Sequence, residues 1–427
     1  MTRDPPTVAF RYIIFILYIM YIMEHQSIKM PSAQGGGRQR PPPPIYSVAF
    51  HPNELILATA LTDNTAKLWQ FSNFNYIPAK CVATLAEHTG WVLSVAFHPT
   101  EPLLATSSID KTAKLWSLSP DNQTAECVAT LESHTSYVYS VAFHPTQPFL
   151  ATVSADTTAK LWKRLSNPTS ALCVATLLGH TNQVLSVVFH PTKLILATGS
   201  TDTTAKLWSF LPDGSQATCM ATLEGHTGSV SSVAFHPTAN LLATSSGDMT
   251  AKLWQFSPDD LSMPAICVAT LEGHTYSLYS VVFHPTEPLL ATSSMDKTAK
   301  LWSLSLLPNN SSVKCVATLE GHTHDVRSVA FHSTSPFLAT GSDDGTAKLW
   351  DIHSVLLSTV TNGQNVHSYV FNREIQQSGY PPGHTKKPPL RGGKSIKKHR
   401  KYKSRMNHNT RKRKCRSMYR TRRKSHK

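Results

Sequence analysis

Residues Gly179–Trp208 read GHTNQVLSVVFHPTKLILATGSTDTTAKLW. VLSVVF alternates branched apolar residues with small ones and predicts a strand. His190-Pro191-Thr192 predicts a turn and LILATGS a second strand. Thr201-Asp202-Thr203-Thr204 predicts a tight turn leading into AKLWSF. The polar stretch LPDGSQAT follows, then a short fourth strand, CMATL. Four short antiparallel strands form a sheet with two apolar faces. Such a sheet is not stable alone and must stack on copies of itself.

The copies are present. Leu-Trp recurs at Trp69, Trp116, Trp162, Trp208, Trp254, Trp302 and Trp350, at gaps of 47, 46, 46, 46, 48 and 48 residues. A fixed period of this size marks a repeat architecture. The expected organisation is an apolar extension with a Gly/Pro-rich linker at 1–40 and a repeat domain at 41–362. A linker at 363–385 includes what reads as a vestigial strand, and a Lys/Arg-rich tail fills 386–427.

Gly-His followed after 28 residues by Trp, with Asp six residues before that Trp, resembles the WD-repeat family. The resemblance implies an all-β, seven-bladed β-propeller of four-stranded antiparallel blades. It also implies a hydrogen-bonded relay in each blade, from Trp to Thr to His to Asp. Blades 2 and 3 would use Trp116/Thr106/His88/Asp110 and Trp162/Thr152/His134/Asp156. Blades 4 and 5 would use Trp208/Thr198/His180/Asp202 and Trp254/Thr244/His226/Asp248. Blades 6 and 7 would use Trp302/Thr292/His274/Asp296 and Trp350/Thr340/His322/Asp344. An indole N–H, a hydroxyl, an imidazole and a carboxylate can pair in series and leave no buried polar group unmatched.

Blade 1 departs from the pattern: it has Trp69, Thr59 and Asp63, but Pro41 stands where the histidine should be. Its relay is incomplete, and blade 1 is expected to be the weakest point of the ring. The last fourth strand is expected at about Val355–Val360, so the ring would lack the strand exchange that usually locks such propellers. VHSYVF (Val366–Phe371) then resembles the first strand of a decayed eighth unit. Only Trp350 is followed by Asp, and His353 stands where ubiquitin-ligase adaptors of the family carry Arg, which disfavours that role.

The charge is uneven. Of 41 Lys and Arg, 20 lie between Lys386 and Lys427, with no Asp or Glu among them; 21 basic and 26 acidic residues remain, a body at −5. The candidate polyanion-binding residues are Lys397, Lys398, Arg400, Lys401, Arg411, Lys412, Arg413, Lys414, Arg422 and Arg423. The tail composition predicts disorder in isolation. Four readings stand: a nuclear or nucleolar address, unselective RNA or DNA binding, attachment to an anionic membrane, and a solubiliser without a partner. Ser404, Ser417 and Ser425 lie among the basic residues, where phosphorylation would weaken the attraction. Localisation to nucleus or nucleolus is favoured, with cytoplasm or virion as alternatives.

At the other end, Tyr12–Met23 is a run of twelve apolar residues. This is shorter than the ~20 a bilayer helix needs. Three readings stand for it: a signal h-region, a weak membrane anchor, and a non-native extension or plain disorder, with the last expected.

Chemistry is sparse in the pattern. Six of the 21 histidines belong to the relay and seven to a recurring Phe-His turn: His51, His98, His144, His190, His236, His284 and His332. Residues repeated in every unit are scaffold. A buried Thr-His-Asp chain present six times is not a nucleophile triad. No phosphate-binding loop, HExxH or paired-cysteine spacing occurs, so no enzyme, cofactor or metal is expected. Six of the seven cysteines (Cys81, Cys127, Cys173, Cys219, Cys267, Cys315) keep the period and read as small buried hydrophobes in a strand, unpaired.

Function is therefore sought where the copies differ. Before the first strands and before the turn Asp residues, the loops vary. The candidate partner-binding residues are Tyr46, Trp91, Ile109, Tyr137, Tyr276 and Met295, flanked by Asp325, Arg327 and Asp343. Aromatics with a charged flank resemble a protein-docking surface. The competing reading is that some rings pack strand edges, with Tyr139 and Tyr279 turned inward. The expected function is a non-enzymatic scaffold, a monomeric propeller docking a protein partner on the relay-side face. The alternative is a nucleic-acid-packaging or ribosome-assembly component acting mainly through the tail.

Overall fold

The computed structural model describes residues 41–357, apart from 72–78, 166–169, 260–263 and 305–312, together with the strand His367–Phe371. The described strands fall into seven four-stranded antiparallel sheets, spanning 45–85, 92–132, 138–177, 184–223, 230–271, 278–319 and 326–371. Within each sheet the strands neighbour one another in sequence order. The first strand of each sheet touches the first strands of both adjacent sheets, and the seventh touches the first. The result is a closed seven-bladed propeller with the first strands innermost.

Blade 4 shows how the sequence builds the unit. Its strands are Val184–Phe189, Ile195–Ser200, Ala205–Phe210 and Ala217–Leu223. The second strand is buried at all six positions, because neighbouring blades cover both of its faces. The apolar clusters lie between blades rather than within them. One joins Ile195, Leu207 and Leu223 of blade 4 to Val233, Leu242 and Trp254 of blade 5. Seven such clusters occupy the seven seams.

The seam between blades 7 and 1 is of the same kind. Ile45, Val48 and Leu57 pack on Phe337, Ala339 and Leu349. Gly341 is required there, since a Cβ would come within 2.7 Å of Ile45 Cγ2 and 2.9 Å of Val48 Cγ1. Ser333 Oγ also donates to the Pro52 carbonyl at 2.7 Å.

The end of the ring corrects one expectation. The fourth strand of blade 7 is His367–Phe371, paired antiparallel to Ala347–Asp351, and it lies beyond residue 362. It is not a stray first strand of an eighth unit. Val355 instead sits in a short helix, His353–Leu357. The physical cause is local: Asp351 Oδ1 accepts the His353 N–H at 2.9 Å, and Ile352 and Val355 are buried in the seam between blades 6 and 7. Among the described residues, all four strands of blade 7 follow those of blade 6 in sequence, so no strand from the other end of the chain locks the ring.

Candidate functional site

The relay geometry is uniform. In blade 2, Trp116 Nε1–H donates to Thr106 Oγ1 at 2.9 Å. His88 Nε2 lies 2.7 Å from Thr106 Oγ1, and His88 Nδ1 lies 2.7 Å from Asp110 Oδ2. Since an ionised carboxylate only accepts, the proton sits on Nδ1, and the Thr hydroxyl donates to Nε2. The chain repeats through Trp162–Thr152–His134–Asp156, Trp208–Thr198–His180–Asp202 and Trp254–Thr244–His226–Asp248. Trp302–Thr292–His274–Asp296 and Trp350–Thr340–His322–Asp344 complete the set.

Each relay Asp also closes its turn. Asp202 Oδ1 accepts from the Thr204 N–H and hydroxyl, while its Oδ2 takes the Thr181 N–H. Burial pushes the Asp156 and Asp202 carboxyls up, but hydrogen bonds from the turn threonines and relay histidines outweigh it, leaving both at about 2. Burial depresses His134, His180, His226 and His322, with the partner Asp opposing in each case. The hydroxyl of this chain is engaged on both sides and has no route to a substrate.

In blade 1, Trp69 still reaches Thr59 at 3.0 Å. Among the described residues no histidine completes the chain, and Trp69 is partly exposed where the six equivalent tryptophans are buried.

The variable loops come together on the relay side of the innermost strands. Their register is fixed by one repeated backbone bond, Ile109 N–H to Trp91 O and Ala155 N–H to Tyr137 O. Asp343 N–H to Asp325 O and Met295 N–H to Ser277 O are its equivalents. The position matching Trp91 in blade 6 is therefore Ser277. Tyr276 stands one residue earlier, where its carbonyl accepts from Ser294 Oγ as Gly90 O accepts from Ser108 Oγ. Tyr276 nonetheless remains 57% exposed, with Trp91 at 45%, Tyr137 at 46% and Met295 at 43%, so all four present apolar surface to solvent. Ile109 is half-buried.

A continuous array crosses four blades. The Tyr46 ring lies 6.2 Å from Trp91, and the Arg327 guanidinium lies 5.1 Å above Tyr46 and 4.3 Å above Tyr279. Arg327 Nε and Nη2 bond Asp343 at 2.6–3.0 Å, and Nη2 stands 3.8 Å from Asp325. Tyr279 Oη donates to Asp325 at 2.9 Å, and Tyr139 Oη to Gln183 at 2.9 Å. Burial lifts the Tyr279 phenol to about 12, with Arg327 opposing and the Asp325 hydrogen bond adding to the rise. Tyr46, Tyr139 and Tyr279 thus pack against the next blade, whereas Tyr137 and Trp91, the latter beside Tyr46, remain exposed. The cross-blade partners have no local signature in the sequence, because each contact joins residues of different blades, one repeat apart or, for Arg327 and Tyr46, at opposite ends of the ring.

The cysteines differ from expectation. Cys219, Cys267 and Cys315 are exposed, and Cys81, Cys127 and Cys173 are partly so. They sit on outer strands, which have no further layer to cover them, and their thiols lie 3.5–3.8 Å from the carbonyl of the alanine two residues on. Among the described residues no His/Cys/Asp/Glu cluster could hold a metal, and no helix is long and apolar enough to cross a membrane. The polyanion-binding candidates Lys397–Arg423 and the apolar run 12–23 lie outside the described residues.

A closed ring of seven four-stranded blades, six of them carrying a Trp–Thr–His–Asp relay, defines a repeat propeller whose variable loops share one face. The chain belongs to the WD-repeat family: the model for the WD domain, G-beta repeat, matches residues 40–70, 79–117, 125–163, 171–209, 217–255, 265–303 and 313–351. Propellers of this family are generally protein-interaction scaffolds and typically non-enzymatic. A search of curated proteins finds no match to this chain.

Proposed function

We propose that the protein is a non-enzymatic scaffold that docks a protein partner on the relay-side face, chiefly through blades 6, 7, 1, 2 and 3. The supporting observation is the asymmetry of that face. Trp91, Tyr46, Arg327 and Tyr279 form one array with Tyr137 beside it, while the equivalent positions of blades 4 and 5 hold Gln183, Leu185, Ser229 and Ser231. Exposed aromatics next to a rigid, internally paired Arg–Asp cluster supply the anchor and rim of a hot-spot interface. Comparative affinity purification of the wild type and Trp91→Ala/Tyr137→Ala tests this. A partner lost from the double variant, yet kept by a Leu172→Ala control on the outer edge of blade 3, supports the reading. Equal capture by all three proteins rejects it.

The Lys/Arg-rich tail adds a second element, nuclear targeting or nucleic-acid tethering. Twenty basic residues without an acidic one support a salt-sensitive, sequence-unselective attraction. Affinity for RNA and DNA measured against salt, for the full chain and for a chain ending at Gly383, separates a tether from an address. A fluorescent fusion of each then reports localisation. Strong binding that the tail alone reproduces would favour the packaging or assembly reading over the scaffold.

A further inference from the structure

The seven histidines of the Phe-His turns are used twice each. On one side, Nδ1 accepts two backbone N–H groups, those two and three residues ahead. His51 takes Asn53 and Glu54 at 3.2 and 3.0 Å, and His284 takes Thr286 and Glu287 at 3.2 and 3.0 Å. The other five do the same at 3.0–3.3 Å. On the other side, each imidazole packs against a Phe of the next blade with centroids 4.8–5.1 Å apart. The pairs are His51–Phe97, His98–Phe143, His144–Phe189, His190–Phe235, His236–Phe283, His284–Phe331 and, across the closing seam, His332–Phe50.

Two N–H donors at Nδ1 require a lone pair there, so the ring proton sits on Nε2 and the imidazole is neutral. At His98 that proton has Glu101 Oε1 as its acceptor, 3.3 Å from Nε2, beside Arg164 Nη2 at 3.1 Å. A second proton has only Nδ1 to occupy, where it would face both donors. We propose that these seven turns form one acid-sensitive clasp: protonation removes both turn hydrogen bonds at each histidine and loosens every inter-blade seam together.

The surroundings support neutrality at neutral pH. Burial is the largest influence on all seven and depresses each. The charged neighbours divide. Glu54 opposes the depression at His51, Glu101 at His98, Asp259 at His190 and Glu287 at His284. Arg164 reinforces it at His98, Lys193 at His190 and His190 at His144, where the Lys193 backbone opposes. A depressed folded-state pKa means that the unfolded chain binds the extra proton more readily. The clasp is therefore fully formed above the ordinary histidine value of 6.5, and its stabilisation is lost as pH falls below that value through the folded-state pKa. The clasp is distinct from the relay, whose histidines carry the proton on Nδ1 and face a carboxylate.

Urea unfolding from pH 7.5 to pH 5 tests the proposal, comparing the full chain with His144→Asn/His236→Asn/His284→Asn. Asn Oδ1 can accept the same backbone N–H groups and does not titrate. The variant should match the wild type at pH 7.5 and lose stability less steeply below pH 6.5. The number of protons taken up on unfolding should fall by up to about one per histidine replaced. An unchanged pH slope overturns the proposal. Nitrogen NMR on the wild type gives a second reading, independent of whether the variant folds. The turn imidazoles should be Nε2–H tautomers titrating below 6.5, and a proton on Nδ1 of the folded protein at pH 6.5 would equally overturn it.

Discussion

Across the closing seam, the Val48 backbone N–H donates to Ser328 Oγ at 3.1 Å, joining residues 280 apart in sequence. The same bond recurs from Val95 to Ser47 at 3.4 Å, from Val233 to Ser186 at 3.2 Å and from Val281 to Ser232 at 3.4 Å. The ring is thus closed by side-chain contacts equivalent to those at its other seams, with no exchanged strand among the described residues. Ser328→Ala leaves a buried N–H without its acceptor and is expected to cost about 1 kcal/mol. Ser47→Ala, which removes a longer bond, should cost less. Chemical denaturation of both variants checks the order, and the reverse order would contradict this account of closure.

The relay predicts a graded response between blades. Thr198→Val keeps the shape of a fully buried residue but strands the Trp208 N–H and removes the donor to His180. Two buried polar groups then lose their partner, for an expected loss of about 3 kcal/mol. Thr59→Val in blade 1 strands only the partly exposed Trp69, and about 1 kcal/mol is expected. Native-state hydrogen exchange should correspondingly find the amides of blade 1 opening before those of blade 4. Equal exchange in the two blades would remove the missing histidine as a source of weakness.

The legible part of this protein is the part confined to one blade. Trp208, Thr198, His180 and Asp202 stand at fixed spacings within one repeat, and a repeated spacing carries its own confirmation. Contacts between blades have no such local signature. Nothing adjacent to Arg327 announces Tyr46, and Tyr279 finds Asp325 only because the inner strands stand side by side. The outer strand of blade 7 was obscured for another reason. His367–Phe371 lacks the Cys-x-Ala-Thr-Leu pattern of most outer strands and pairs without the register shift that the other six show. In blade 6, the aromatic Tyr276 stands directly before Ser277, whose carbonyl sets the register and whose side chain carries no such signature.

The turn after each relay Asp holds one residue in the left-handed region, including Thr157 at φ 71° and Gly345 at φ 75°. A β-branched residue there is strained by about 1–2 kcal/mol. The Thr157 backbone N–H donates to the Ser154 carbonyl at 3.3 Å, a bond that glycine keeps, and the turn Asp156 is held by Thr158. Thr157→Gly relieves the strain against a larger unfolded-state entropy, for an expected net gain of about 0.5 kcal/mol. Gly345→Ala should act in the opposite direction and more strongly, since a Cβ there would lie 2.6 Å from Pro42 Cβ and Cγ. Thermal unfolding of the two variants should move the melting temperature in opposite senses. A loss of stability in Thr157→Gly would show the strain to be relieved elsewhere.

Arg164 is the one charged residue at a register that holds Phe71, Leu118, Phe210, Phe256, Leu304 and Ile352 in the other blades, all buried. Its guanidinium reaches across the seam to Glu101 at 2.6 and 2.8 Å, while its Nε is buried without a hydrogen-bond partner. The side chain is 10% exposed and that of Glu101 47%, so solvent screens one partner and scarcely reaches the other. A pair of this kind returns little beyond the cost of desolvating the cation, and an apolar residue fitted to the same seam does comparably well. Arg164→Phe restores the residue used by blades 1, 4 and 5, whose rings in blades 4 and 5 stand edge-on to a turn histidine of the preceding blade. It is expected to fall within about 1 kcal/mol of the wild type or to be more stable. Glu101→Ala should be worse than Arg164→Phe, by about 1–2 kcal/mol after allowing for its exposure, because it leaves the buried guanidinium without its carboxylate. Urea midpoints at neutral pH rank the two. If Arg164→Phe proved the more damaging, the bridge would have to stabilise the seam between blades 2 and 3 in its own right.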